Sequence, residues 1–71
     1  MFNSTAILNE IKKLNLAEGE VAYVRASGDW TVGKEGCQPA YTQAVSQFDL
    51  EVCHDSELIE QLDDFHDTFS M

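Results

Sequence analysis

The residues of this 71-residue chain best suited to chemistry are carboxylates. Glu57, Glu60, Asp64 and Asp67 follow one another at intervals of three, four and three, which stacks side chains along one face of a helix. At a rise of about 1.5 Å per residue, the row runs about 15 Å with a charge roughly every 5 Å. Duplex DNA carries a phosphate about every 3.4 Å along each strand. With Asp63 beside the row, and Asp49, Glu51 and Asp55 upstream, the local charge density moves toward that of a nucleic-acid backbone. Such an array can take Lys and Arg side chains of a partner through charge-assisted hydrogen bonds. The plainer alternative is a solvated outer face that only keeps a small protein soluble. Two features weigh against it. Like charges three or four residues apart destabilise a helix by a few tenths of a kcal/mol per pair. Ordinary surfaces also intersperse Lys and Arg, and none occurs after Lys34.

Other chemistries are poorly supplied. A nucleophilic site needs a Ser or Cys beside an oriented base, and the two histidines are His54 and His66. Cys53 and His54 are adjacent, which on a strand sends them to opposite faces. Asp63 and His66, three apart on a helix, could share a cation, but no second such pair completes a di-metal set. No CxxC, HExxH, Gly-containing calcium loop, GxxxxGK or GxGxxG is present. The expectation is a non-enzyme with no catalytic residue, metal or cofactor. Cys37 and Cys53 are too few and too unpatterned for a disulfide scaffold.

The formal charge of −9 sharpens the choice of partner. All four basic residues, Lys12, Lys13, Arg25 and Lys34, lie in the first half. Nine acids follow: Glu35, Asp49, Glu51, Asp55, Glu57, Glu60, Asp63, Asp64 and Asp67. That field repels nucleic acid and anionic membranes and speeds encounter with basic proteins. Neither a membrane span nor a signal peptide is legible. The chain opens on Met and is expected to be complete, cytoplasmic, and a monomer or homodimer.

Ser4 to Leu16 is an amphipathic helix with Ile7, Leu8, Ile11, Leu14 and Leu16 inward, capped by Asn3 or Ser4 and left at Gly19. Glu20 to Ser27 and Trp30 to Lys34 are strands of a hairpin closed by Gly28-Asp29 as a two-residue loop. That loop sets Ser27 against Trp30, Arg25 against Val32 and Tyr23 against Lys34. One face then carries Tyr23, Arg25, Trp30, Val32 and Lys34; the other carries Ala22, Val24, Ala26, Thr31 and Gly33, small enough for helices to pack on. Gln47 to Cys53 alternates as a half-buried strand, Phe48, Leu50 and Val52 on one side. Residues 39–47 extend this strand or, alternatively, are helical. Asp55 to Phe69 is a second amphipathic helix, with Leu58, Ile59, Leu62, Phe65 and Phe69 inward and Asp55 or Ser56 as cap.

The chain is therefore expected to be one α+β domain over residues 1–71, α-β-β-β-α, a three-stranded antiparallel meander with two helices packed on one face. Double-stranded RNA-binding domains share this order of elements and nothing more. They read phosphates with basic residues where this second helix carries acids. The expected function is an acidic inhibitor or decoy that occupies the basic, nucleic-acid-binding surface of another protein. Chains of this size and charge are common among proteins that phages and mobile elements direct at host machinery. The binding residues are Glu57, Glu60, Asp63, Asp64 and Asp67, with Asp49 and Glu51. The alternative is a protein-interaction module anchored on Tyr23, Arg25 and Trp30, residue types enriched in binding hot spots, and a second alternative is a small metal-binding or catalytic protein.

Overall fold

The computed structural model describes residues 2–69. The elements are α1 (Ser4–Leu14), β1 (Glu20–Arg25), β2 (Trp30–Lys34), β3 (Thr42–Ser46), α2 (Gln47–Val52) and α3 (Asp55–Phe69). They form an α+β fold in which α1 and α3 pack on one face of a three-stranded antiparallel sheet. Among the described residues no helix is long and apolar enough to cross a membrane.

α1 begins where the Asn3 side chain accepts the Ala6 N–H at 3.1 Å, satisfying one of the free donors of the first turn. It ends two residues earlier than its apolar stripe predicts. Asn15 adopts the left-handed conformation (φ 51°), which Asn tolerates better than most residues. Leu16 still reaches the core from beyond the helix, leaving Leu14 half exposed.

The hairpin closes differently from expectation. Arg25 N–H donates to Asp29 O at 2.7 Å and Gly28 N–H to Arg25 O at 3.0 Å. Residues 26–28 thus form the loop, with Gly28 at φ 103°, the arrangement of a three-residue hairpin with glycine at its left-handed position. The register becomes Ala22↔Val32, Tyr23↔Thr31 and Val24↔Trp30. Because side chains alternate with a period of two, this odd shift carries every β2 residue to the other face. Trp30 and Val32 join Ala22 and Val24 beneath the helices, while Thr31 and Gly33 lie on the far side with Tyr23. The Tyr23 ring lies over Gly33, where a Cβ would meet it at 2.9 Å, and its hydroxyl donates to Lys34 O.

The sheet order is β2-β1-β3, not a meander. β1 is central, pairing with β2 on one side and with β3 through Ala22↔Val45 and Tyr23↔Ala44 on the other. Four consecutive buried residues, Val21 to Val24, reflect that position. Sheet positions and helices meet in one core of Ile7, Ile11, Leu16, Ala22, Val24, Val45 and Leu62.

The third strand is Thr42–Ser46, so the helical alternative for residues 39–47 does not hold there. Conversely, the strand expected over Gln47 to Cys53 is the helix α2. Its cause is a capping box. Asp49 N–H donates to Ser46 Oγ at 3.1 Å, and Ser46 N–H donates to the Asp49 carboxylate at 3.0 Å. As a helix, the segment turns Leu50 toward the core and sends Phe48 and Val52 outward, one turn apart, at 67% and 59% exposure. Replacing Ser46 with Ala removes the cap and is expected to cost about 0.5–2 kcal/mol. Chemical denaturation of the variant checks this; an unchanged midpoint would mean that the cap does not hold α2.

α3 follows its predicted range. Leu58, Leu62 and Phe65 are buried, whereas Phe69 is 48% exposed and meets the Tyr41 ring edge-on. Neither Asp55 nor Ser56 supplies the cap. The His54 carbonyl takes the Glu57 and Leu58 N–H groups, and Asp55 instead pairs with Lys12 of α1.

Candidate functional site: the outer face of α3

The burial of Leu58, Leu62 and Phe65 fixes the rotation of α3 about its axis. At about 100° per residue, Glu57, Glu60, Asp63, Asp64 and Asp67 fall within an arc of about 120° that points away from the core. All five are exposed. No Lys or Arg pairs with them: Lys12–Asp55 is the one salt bridge among the described residues. The helix that carries them is held by three buried anchors, Leu58, Leu62 and Phe65, which keeps the carboxylates on its outer side. Glu57 also lies in the first turn, where the helix dipole favours an anion.

The other two acids belong elsewhere. Asp49 is half-buried, and its carboxylate is engaged by the Ser46 N–H, which gives it a structural task in α2. Glu51 is exposed on α2. The flanking residue His66 is also committed. Its Nδ1 lies 2.8 Å from the Ala26 carbonyl oxygen and its ring stacks on Phe2 at 4.3 Å. Among the described residues no three His, Cys, Asp or Glu side chains cluster as a metal site. Cys37 and Cys53 are free thiols.

The hairpin residues do not share a face. Tyr23 is buried on the sheet side away from the helices. Trp30 is half-buried against the core on the helix side, and its indole N–H donates to Glu10 Oε2 at 3.2 Å. Arg25 is exposed at the end of β1. Sequence reasoning also assigned Phe48 to an inward strand face, and thereby missed a large exposed aromatic on α2.

Closely spaced, unpaired carboxylates repel one another in the folded state, and salt screens that repulsion. The melting temperature is expected to rise between low salt and about 0.5 M NaCl at neutral pH, as the screening length falls to a few ångströms. A thermal melt at each salt concentration checks this. A falling melting temperature would show that favourable ion pairs dominate.

No model of a known protein family, no curated protein and no solved structure matches the chain.

Proposed function

We propose that the protein binds a basic, nucleic-acid-binding surface of another protein through the outer face of α3, acting as an acidic inhibitor or decoy. One observation carries this reading: five exposed carboxylates on one helix face, Glu57, Glu60, Asp63, Asp64 and Asp67, have no cationic partner among the described residues. Leaving charges so close together unpaired costs folding stability, a cost that a partner's Lys and Arg would offset. The spacing along the row, roughly 5 Å, is of the order of the phosphate spacing along a nucleic-acid strand. A surface built to follow phosphates would find comparable charges here. Tyr23 and Trp30 project from opposite sides of the sheet, which weighs against the hairpin alternative.

The test uses the protein as immobilised bait against a lysate of its source cell, or of the host if the source is a phage. A parallel bait carries Glu60→Lys and Asp64→Lys. The proposal expects a nucleic-acid-binding protein on the first bait, released by added DNA or RNA, and none on the second. A partner held equally by both baits, or indifferent to nucleic acid, contradicts it.

A further inference from the structure

A second feature of the surface lies away from α3. Between the turn that enters β1 and the start of α2 is an open cleft of about 410 Å³, within the size range of small-ligand sites. No α3 residue lines it. Its apolar lining includes Leu16 and Val21, exposed by only 8% and 7%, and Phe48, 67% exposed. Its rim carries three carboxylates, Glu18, Glu20 and Glu35.

The backbone assembles this rim. Gly19, at φ 81°, turns the chain between Glu18 and Glu20. The Glu35 N–H donates to Gly19 O at 2.8 Å, bringing the end of β2 to that turn. Glu20 is partly engaged, accepting the Ala17 N–H at 2.9 Å. Glu18 and Glu35 form no ion pair among the described residues. Lys34 pairs across the strand with Glu20 in register but does not line the cleft.

We infer that this cleft takes an arginine side chain of a basic partner segment. The occupant follows from complementarity. An apolar floor suits the three-methylene stem, an exposed ring suits a guanidinium laid flat on it, and the Glu18 and Glu35 carboxylates suit its forked donors. A lysine ammonium fits less well, since it is strongly hydrated and lacks the planar fork. A second copy of this chain is disfavoured by a charge of −9 on each. The inference rests on the proposed binding of a basic protein but assigns a contact separate from α3, so either can fail alone.

The experiment is a titration of the ¹⁵N-labelled full chain with Nα-acetyl-arginine amide at constant ionic strength, followed by amide shifts. Saturable shifts are expected at Gly19, Val21, Glu35 and Gln47, with weaker binding of Nα-acetyl-lysine amide and of spermidine. Phe48→Ala, at an exposed position that spares the core, is expected to weaken binding about two- to fivefold. Glu18→Gln with Glu35→Gln is expected to weaken it about three- to tenfold. Glu60→Lys with Asp64→Lys leaves it unchanged. Shifts spread over the α3 acids, equal response to lysine amide or tighter response to spermidine, or indifference to Phe48→Ala would each overturn the assignment. None of those results touches the α3 proposal, which the bait comparison decides.

Discussion

Replacing Leu62 with Ala is expected to cost about 2–5 kcal/mol of folding stability, and Phe65→Ala a similar amount. Leu62 is 1% exposed and belongs to the core that joins α1, α3 and the sheet. Truncation there removes buried methyl groups and leaves a cavity that a small, shared core has little freedom to close. A domain of this size loses about 4–8 °C of melting temperature per kcal/mol, so the loss is large and direct to read. The upper end of the range approaches the whole stability of a small domain. Thermal melts of both variants check this, and a loss near zero in both would mean that α3 does not pack through this stripe. The result bears on function, because the same stripe sets the direction in which the carboxylates point.

The second large effect is on binding. Glu60→Lys combined with Asp64→Lys changes the local charge by four and places two repulsive groups against a basic surface. The expected outcome is loss of detectable partner binding, while Trp30→Ala leaves binding largely intact. Stability provides the internal control. Both sites are exposed and unpaired among the described residues, and mixing charge signs along a helix relieves a few tenths of a kcal/mol per like pair. The double variant should therefore melt no lower than the parent chain. A variant that unfolds would instead assign these residues a structural role, and a folded variant that still binds would remove α3 from the interface.

The two long amphipathic helices were legible because their periodicity is local. In α3, Leu58, Leu62 and Phe65 alone define the buried stripe, and the acidic arc follows by geometry from their positions. β1, β2 and Thr42 to Ser46 were legible as extended segments for their Val, Tyr, Trp and Thr content. What failed depended on finer signals or on distant contacts. Gly28-Asp29 is a frequent two-residue turn, yet Gly28 serves equally as the left-handed residue of a three-residue loop. One position of loop length decides which face Trp30 occupies. Gln47 to Cys53 alternates as a strand would, and only the Ser46–Asp49 spacing marks a helix start there. Strand order is a tertiary property, though the unbroken apolar run Val21-Ala22-Tyr23-Val24 marks a strand covered on both faces. The cleft could not be read from sequence, because it joins Leu16, Glu35 and Phe48 from three separate parts of the chain.

Competition by α3 for a surface that otherwise holds nucleic acid is what the proposed function predicts. Its most direct test is a titration of the captured partner at low and at near-physiological salt, each with and without the partner's own DNA or RNA. Binding through exposed carboxylates predicts a steep loss of affinity with salt, displacement by nucleic acid, and no binding of the Glu60→Lys, Asp64→Lys chain. Salt-insensitive binding that survives the double charge reversal and persists in the presence of nucleic acid would contradict it.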